Sequence, residues 1–368
     1  MKKIIFYINS FYPVFGGAQK QARLLAKELK NKGFDTTILT RKIKGLKKTI
    51  DNIRIIGIKI YGSSRITKAI SFSFFSILFF IKNRKNFDII QTFQMDSNSF
   101  TAVVVGKLLN KKAIVRIAGA GKLGEISKHN TFFGKIMIKT VINLASGFIV
   151  LNKQSYLDIV KLGVKKEKII LLGNGVEIIN TPNIDKNMLK KQMNLPNKKI
   201  CLFSGRFAEP KKLFLLIEVW EKINNDDFFL ILCGDGPLKE KLERKITSNN
   251  VKNVEITFKN DLKNLYLASD IFILPTESEG MPNSLLEAMS FKCIPLASNV
   301  SGVNEIITDS HNGFLFDNTE ESLQEKLEYV MKELDKLKPI SENAYKTILE
   351  KFSIEKISKK YIKFINSL

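Results

Sequence analysis

Two glutamates separated by seven residues flank a predicted helix start in the second half of the chain, in the segment EGMPNSLLE. Glu279 lies in the loop after a predicted strand, and Pro282 suits the first turn of a helix, where a missing N–H costs nothing. Asn283 and Ser284 then present backbone amides at the positive end of that helix, and Glu287 follows within two turns. This segment therefore offers amides for a phosphate, one carboxylate for sugar hydroxyls and one for ribose hydroxyls.

Two cations follow the first predicted strand of the second half, in the segment LFSGRFAEPKK. Gly205 follows the strand, Arg206 can bind two phosphate oxygens at once, and Lys211 acts as a point charge. A diphosphate suits such a pair at the carboxyl end of a strand. Two alternatives stay open, a solvated basic loop and a role for Lys212 in place of Lys211.

Glycines mark two other connections between a strand and a helix. Gly16 and Gly17 follow the first predicted strand, where the backbone either approaches a ligand closely or simply turns tightly. Gly234 and Gly236 belong to the segment CGDGP, for which a purely structural turn is the preferred interpretation, although it can border a nucleotide base. The sequence lacks the G-x-G-x-x-G fingerprint, so no nicotinamide cofactor is expected.

The metal-binding and thiol residues are few. Cys201, Cys233 and Cys293 lie in apolar runs that predict buried strands, and their number is odd, which favours free thiols in a reducing cytosol. His129 and His311 are far apart in sequence, so no histidine-based zinc site is predicted. The apolar stretch at the N-terminus is short and ends in a polar turn, which indicates a first strand and not a signal peptide.

The elements that must position these residues alternate between strands and helices. Apolar runs predict strands at residues 4–8, 35–40, 53–60, 88–92, 113–118, 147–151 and 168–172, and again at 199–204, 228–233, 254–258, 270–275 and 293–297. Near-continuous apolar strands separated by helices predict parallel sheets covered on both faces. The predicted fold class is α/β, with two Rossmann-like doubly wound parallel-sheet domains facing a central cleft.

A polar segment predicts the boundary between these domains. Residues 177–198 carry Pro182 and Pro196 and form the predicted linker. The predicted domains are residues 1–178 and 179–352. In open parallel sheets, ligands bind beyond the carboxyl ends of the strands, so each domain can offer one wall of a binding cleft.

The charge of the chain is concentrated in its first half. Residues 1–180 hold 32 Lys and Arg against nine Asp and Glu, whereas residues 181–368 hold 27 of each kind. A general compositional bias is one explanation, and a face that meets an anionic membrane or another polyanion is the functional one. The apolar stretch at residues 69–81 is too short to span a bilayer, which needs about 20 residues. It predicts a core helix or, alternatively, a helix that dips into a membrane surface.

The chain resembles glycosyltransferase family 4, whose members are retaining enzymes with the GT-B fold, over almost its whole length. The motifs that carry the resemblance are Gly16-Gly17, Asn174-Gly175-Val176-Glu177, Gly205-Arg206 with Lys211, Gly234-Asp235-Gly236, Glu279 with Glu287, and Ser301-Gly302-Val303-Asn304-Glu305. The last helix, residues 353–368, resembles the segment that crosses back to the first domain in this family.

The resemblance implies roles for these residues. Arg206 and Lys211 would neutralise the leaving diphosphate, Glu287 would bind ribose, and Glu279 would lie near the transferred sugar. The remaining donor-site residues would be Gly205, Gly234, Gly280, Met281, Pro282, Asn283, Ser284 and Leu285, and the first domain would contribute Gly16, Gly17, Ala118 and Gly119. No cofactor or metal is expected, because two cations and a helix end would supply the electrostatic stabilisation.

The sequence departs from the family pattern at several positions. Many members have a histidine that contacts the donor sugar where Ala118 stands here, and others carry histidine near Gln91 and Gln94. Glutamine can form hydrogen bonds but cannot act as a base at neutral pH. Lys212 replaces the glycine that usually follows the lysine. The missing histidine at Ala118 keeps an inactive, transferase-like partner subunit open as an alternative.

The resemblance and the charge together predict a retaining transferase at the cytosolic face of the membrane. It would move a sugar from a nucleotide-diphosphate donor, with UDP favoured, to a lipid-linked or polysaccharide precursor. The expected partners are the nucleotide sugar, this acceptor and an anionic membrane surface. A nucleotide-sugar hydrolase or epimerase on the same fold is a further alternative. No nucleic-acid partner is expected, because no helix-turn-helix, zinc or RNA-binding signature is present.

Overall fold

The computed structural model describes residues 2–14, 16–119, 124, 131–179, 185–259 and 262–368. The chain divides into two compact units, the first comprising Met1–Gly175 with Ile354–Leu368 and the second Val176–Ser353. The first unit holds 36 Lys and Arg and nine Asp and Glu residues, and the second holds 23 and 27. The positive excess of the chain therefore belongs to the first unit.

An eight-stranded sheet forms the centre of the first unit, in the spatial order β3-β4-β2-β1-β5-β6-β7-β8. The strands are β1 Lys3–Tyr7, β2 Asp35–Arg41, β3 Thr49–Ile50, β4 Ile53–Ile58, β5 Ile89–Thr92, β6 Lys112–Ile117, β7 Gly147–Val150 and β8 Ile169–Leu171. Neighbouring strands are parallel except β3 and β4, which form an antiparallel pair. The short strand β3 was not predicted, because two residues are too few for a recognisable period.

Helices cover both faces of this sheet, as the near-continuous apolar strands predict. They are α1 Gly17–Asn31, α2 Arg65–Lys82, α3 Ser97–Leu109, α4 Phe132–Leu144, α5 Lys153–Lys161 and α13 Ile354–Ser367. Successive residues of β1 point to opposite faces. Ile4 and Phe6 pack in one core with α1 and α13, whereas Ile5 and Tyr7 pack in another with α2 and α3.

A six-stranded sheet forms the centre of the second unit, in the order β11-β10-β9-β12-β13-β14, with every neighbouring pair parallel. The strands are β9 Lys199–Ser204, β10 Phe228–Cys233, β11 Val254–Thr257, β12 Ile271–Leu274, β13 Ile294–Ser298 and β14 Phe314–Phe316. The helices are α6 Lys186–Gln192, α7 Leu213–Ile223, α8 Lys239–Ser248, α9 Lys263–Ala268, α10 Asn283–Ser290, α11 Glu320–Lys332 and α12 Lys338–Thr347. Because the strands are parallel, the loops after β9, β10 and β12 meet at one edge of this sheet.

The segment predicted as a linker, residues 177–198, contains helix α6. Leu189 of α6 is buried, and Lys186 of α6 donates a 2.8 Å hydrogen bond to Asp270 at the start of β12. The predicted linker therefore contains a helix that is fixed to the second unit by an apolar contact and an ion pair. Residues 180–184 lie outside the described residues.

The aromatic helix α2 begins four residues before the predicted apolar run. Ser64 caps it, since its side chain accepts a 3.1 Å hydrogen bond from Thr67 N while the Thr67 side chain accepts one from Ser64 N. The side chains of Phe72, Ser76 and Phe80 are buried against the sheet. The predicted core helix is correct for this face alone, because the opposite face is apolar and exposed.

Candidate donor-binding site

The loop after β9 is held directly against the turn after β10. Gly205 N donates to Cys233 O at 3.0 Å, and Phe207 N donates to Asp235 O at 2.9 Å. A Cβ atom on Gly234 would lie 1.9 Å from the Gly205 carbonyl oxygen. The two backbones therefore pack directly against each other. This close contact explains why residue 234 is a glycine.

Arg206 and Lys211 both lie in the loop between β9 and α7. Arg206 is exposed, and no acidic partner within the described part of the chain neutralises its guanidinium. Lys211 ends a short 3-10 turn, Glu209–Lys211, and its ammonium forms an ion pair with the Glu279 carboxylate. Lys212 instead pairs with Glu277 at a more exposed position. Of the two lysines, Lys211 is the one that reaches Glu279.

A buried hydrogen-bond network fixes the loop of Lys211 to the loop of Glu279. The Thr276 hydroxyl donates to Pro210 O at 3.0 Å, and Glu277 N donates to the same oxygen at 2.8 Å. Thr276 N donates to Ser298 Oγ at 2.8 Å. Asn318 connects Thr276 and Ser298, since its side chain donates to Thr276 O and accepts from the Ser298 hydroxyl. Sequence patterns gave no sign of this network, because Thr, Ser and Asn are ordinary residues at strand ends.

Helix α10 presents its first turn at this same sheet edge. The helix begins at Asn283 with Pro282 at the N-cap, in extended conformation. Pro282 O accepts the first helical hydrogen bond, from Leu286 N at 3.3 Å. The prediction that Pro282 lies in the first helical turn is wrong by one position, because its φ of −75° suits a helix but its ψ of 114° is extended. Ser284 and buried Leu285 follow in the first turn.

Gly302 supports Glu279 and Gly280 from the neighbouring turn. Its φ is +83°, a left-handed conformation that favours glycine. A Cβ at Gly302 would lie 2.4 Å from Gly280 O and 2.6 Å from Glu279 O. The turn Ser301-Gly302-Val303 therefore packs its backbone against the peptide that carries Glu279.

Glu287 lies on α10 with its side chain largely buried, at 8% exposure. Tyr266 of α9 contacts it through the phenol hydroxyl, which also lies 2.7 Å from Ser204 Oγ. Burial, followed by the negative charge of Glu287, raises the pKa of Tyr266 well above its usual value. Tyr266 therefore keeps its proton and can donate it in a hydrogen bond to the carboxylate. The sequence did not predict a role for Tyr266, because a tyrosine in an apolar helix cannot be distinguished from an ordinary core residue.

The candidates of the first unit share one edge of the eight-stranded sheet. Gly16 is the N-cap of α1 and Gly17 its first residue, while Ala118 and Gly119 directly follow β6. A Cβ at Gly16 would meet only the flexible end of Gln19. Its backbone is extended, so no steric constraint in the fold demands glycine there.

Gln91, a departure from the family pattern, lies on β5 and is fully buried. Among the described residues, neither polar atom of its carboxamide has a hydrogen-bond partner. The amide borders a cavity of about 20 Å³ that Arg116 also lines, which is room for about one water molecule. Gln94 is exposed, and His129 lies outside the described residues.

The described residues include no evident metal-binding site and no reactive cysteine. Among those residues, no cluster of three or more His, Cys, Asp or Glu side chains could hold a metal ion. The three cysteines are free and buried. Burial raises the pKa of Cys201 and Cys233 and raises that of Cys293 to about 12, so these thiols stay protonated. No described helix combines the length and the apolar character that crossing a membrane requires.

Two family models match the chain, one in each unit. Residues 15–178 match the model described as Glycosyltransferase Family 4, and residues 185–347 match the model described as Glycosyl transferases group 1. An uncharacterised glycosyltransferase of Methanocaldococcus jannaschii is 25% identical to the chain, over 100% of the chain and 98% of that protein.

Two further proteins resemble the chain, one over part of its sequence and one over the whole of its fold. The UDP-Gal:alpha-D-GlcNAc-diphosphoundecaprenol alpha-1,3-galactosyltransferase of Escherichia coli is 31% identical over 45% of the chain and 46% of that enzyme. HepE of Anabaena, crystallised with UDP-glucose, superposes with a TM-score of 0.85 at 18% identity, covering 100% of both chains. The predicted family and fold class are thus confirmed. The chain belongs to glycosyltransferase family 4 and is a glycosyltransferase with the GT-B fold.

Proposed function

We propose that this enzyme transfers a sugar from a UDP-sugar, with retention of anomeric configuration, to a lipid-linked or polysaccharide precursor at the cytoplasmic face of a membrane. The observation that carries the proposal is the convergence of Arg206, Lys211, Glu279 and the first turn of α10 at one sheet edge. The Escherichia coli relative, whose name includes both UDP-Gal and a diphosphoundecaprenol acceptor, supports this donor and this acceptor class.

In the proposed donor complex, the diphosphate lies between the cations and the start of α10. Arg206 and Lys211 offset the charge that develops on the leaving group, and the first-turn amides of α10 act on the same oxygens. These groups belong to the protein itself, so turnover is expected in the presence of EDTA. The donor phosphate, held in this way, would assist removal of the acceptor proton during front-face attack.

The two glutamates have separate roles in this proposal. Glu287, oriented by Tyr266, accepts hydrogen bonds from ribose hydroxyls. Glu279 accepts them from the transferred sugar, and its carboxylate also pairs with the Lys211 ammonium. The Met281 and Asn283 backbone amides would lie along the sugar and phosphate. Gly205 and Gly234 allow the loop after β9 and the turn after β10, which would border the nucleotide, to pack closely against each other.

The test is turnover of a panel of nucleotide sugars in EDTA, with and without a diphosphoundecaprenol-linked acceptor. The proposal predicts acceptor-dependent release of UDP and an α-linked product from an α-linked donor, measured by NMR. The variants Arg206→Ala and Glu287→Ala should each lose most of this activity. Lys332→Ala, which removes an exposed cation at the end of α11, is the matched control and should retain it.

Each alternative predicts a different result in this assay. Release of nucleotide without any acceptor would indicate a hydrolase and contradict transfer. Full turnover in both Arg206→Ala and Glu287→Ala would contradict the site. Absence of turnover with every donor, together with specific binding of a second glycosyltransferase, would favour the inactive partner subunit.

A further inference from the structure

Helix α2 exposes a continuous apolar stripe on the side that faces away from the sheet. Its members are Ile66, Ile70, Phe74, Leu78 and Ile81, which are 72%, 63%, 55%, 47% and 42% exposed. The spacing of four, four, four and three residues places all five along one side of the helix. Five large apolar side chains in one row are more than the scattered exposure that is normal for a soluble surface.

This stripe is separate from the core-facing side of α2. The core side consists of Phe72, Ser76 and Phe80, and Phe80 packs edge-on against Tyr7 and Phe87. At 100° per residue, the centre of the exposed stripe lies roughly opposite these residues. Folding of the first unit therefore accounts for one apolar side of α2 and leaves the second side without a function.

The two neighbouring helices extend the apolar surface. Helix α3 packs against both α2 and α4, so the three helices lie side by side on one face of the sheet. Phe100 and Leu108 of α3 are exposed, as are Phe132, Phe133 and Ile136 of α4. We refer to the solvent-facing side of α2, α3 and α4 as the outer face.

The charged side chains of the three outer-face helices are all basic. Helices α2, α3 and α4 contain no Asp or Glu. Eight exposed basic residues lie on these helices or directly after α2, namely Arg65, Lys68, Lys82, Arg84, Lys85, Lys107, Lys135 and Lys139. None of the eight forms an ion pair within the described ranges of the chain. The local surface therefore combines apolar side chains with uncompensated cations.

We propose that the outer face docks onto an anionic lipid bilayer, with the α2 stripe among the acyl chains and the eight cations at the headgroup phosphates. Helix α2 is about 27 Å long at 1.5 Å per residue, and its apolar side runs along this length, which suits a helix that lies in the plane of the interface. The proposal extends the proposed function, because it names the surface that brings the enzyme to a lipid-linked acceptor.

Charge favours the bilayer over a second copy of the chain. A twofold dimer through the outer face would bring eight cations of each copy together without any acidic partner on these helices. Anionic headgroups supply the missing negative charge, and the acyl chains remove the apolar stripe from water. An acidic protein partner would satisfy the cations but is not needed to explain a stripe that runs along a whole helix.

The direct test is flotation of the purified protein with vesicles of phosphatidylcholine alone and with vesicles containing 30% phosphatidylglycerol. The wild-type protein should float with the anionic vesicles and bind the neutral ones at least tenfold more weakly. Ile70→Ser/Phe74→Ser should reduce binding to anionic vesicles at least about tenfold. The matched control Leu157→Ser/Leu162→Ser removes similarly exposed leucines elsewhere in the first unit and should bind as the wild type does.

A second measurement reports the position of the stripe without removing it. Trp220 is the chain's one tryptophan and is buried at 3% exposure, so Phe74→Trp adds a distinct surface reporter. Its fluorescence should shift to the blue on addition of anionic vesicles and be quenched by brominated acyl chains, whereas Leu157→Trp should change little. Equal responses at the two positions, or unchanged flotation of Ile70→Ser/Phe74→Ser, would overturn the proposal.

Activity without lipid separates this inference from the proposed function. Turnover with a water-soluble acceptor in the absence of vesicles should be the same in Ile70→Ser/Phe74→Ser and wild type. Acceptor-dependent turnover combined with absent vesicle binding would refute the docking surface and leave the transferase proposal intact. A concentration-dependent dimer that Ile70→Ser/Phe74→Ser abolishes, in a protein that binds no vesicles, would assign the outer face to self-association instead.

Discussion

The ammonium of Lys211 forms an ion pair with the carboxylate of Glu279, although the two residues are 68 positions apart in the chain. Both side chains are largely buried, at 22% and 13% exposure. The pair links the loop after β9 to the loop after β12, and these strands are neighbours in the sheet. A carboxylate therefore balances the cation that the proposal assigns to the diphosphate.

Glu279→Gln tests what this carboxylate does. The substitution removes a negative charge beside the proposed diphosphate position while keeping the side-chain shape. We expect UDP to bind several-fold more tightly, because repulsion is removed, and kcat to fall about 10- to 100-fold, because a charged hydrogen bond of about 1.5–3 kcal/mol to the sugar is lost. Calorimetric titration and steady-state kinetics measure the two effects. Weaker UDP binding with normal kcat would contradict the assignment.

Thr276→Val tests whether the buried network positions the Lys211 loop. The variant keeps the shape of the side chain but removes the hydroxyl that donates to Pro210 O at 3.0 Å. We expect a loss of about 1 kcal/mol in stability and a several-fold rise in donor KM with a smaller change in kcat. Thr276→Ser retains the hydroxyl and should restore KM. A KM that stays normal in Thr276→Val would show that the loop is held without this contact.

Tyr266→Phe tests the orientation of Glu287. The phenol hydroxyl lies 2.7 Å from Ser204 Oγ and contacts the carboxylate, and a lost hydrogen bond of about 1 kcal/mol corresponds to about fivefold in affinity. We expect donor KM to rise by about this factor and the preference for UDP over 2′,3′-dideoxy-UDP to shrink. Equal weakening of both nucleotides would indicate a purely structural role for Tyr266.

Gly234→Ala tests the backbone contact between the two loops. A Cβ would lie 1.9 Å from Gly205 O, and backbone cannot move aside as a flexible side chain can. We expect overpacking to cost about 1–3 kcal/mol and activity to fall sharply. The comparison is Gly16→Ala, where the added Cβ meets only the end of the Gln19 side chain, so its Tm should change less. A Gly234→Ala protein with unchanged Tm and activity would contradict the close packing.

Asp270 should make the second unit sensitive to acid. Burial opposes its ionisation, but the Lys186 ammonium and the Ile200 N–H outweigh burial and lower the pKa of Asp270. A carboxyl group with a lowered folded-state pKa stabilises the fold above its unfolded value of about 3.9, and this contribution is lost as the pH falls through the folded pKa. Asp270→Asn should therefore lower Tm at pH 7, and this deficit should shrink as the pH falls below about 3.9. Calorimetry that finds the same deficit at pH 7 and in acid would refute this linkage.

The sequence predicted those features of the fold that repeat along many residues. Apolar runs located the main strands of both sheets within a few residues, because parallel strands buried on both faces are almost uniformly hydrophobic. Helix α6 was missed because its attachment depends on Lys186 meeting Asp270, two residues that are distant in the chain. For α2 the sequence left both a core helix and a helix at a membrane surface open, since periodicity alone does not show which apolar side of a helix meets the core.

For the candidate site too, the sequence predicted some of the residues and missed others. Glycines, cations and glutamates at strand ends drew attention to Arg206, Lys211 and Glu279, because parallel strands bring their carboxyl ends to one edge. The choice between Lys211 and Lys212 required the structure, since neighbouring residues in a turn point in different directions. Tyr266 and Thr276 act through contacts with residues far away in sequence, and their residue types alone carry no such information.

The ratio of UDP to UMP affinity tests the central claim most directly, because these two nucleotides differ by the one phosphate assigned to Arg206 and Lys211. Calorimetric titration of the wild type should give UDP at least about tenfold tighter binding than UMP, as expected for charged hydrogen bonds of about 1.5–3 kcal/mol. Arg206→Ala and Lys211→Ala should each weaken UDP binding about tenfold or more and leave UMP binding within about twofold, so the preference collapses. A preference that persists unchanged in both variants would contradict the account.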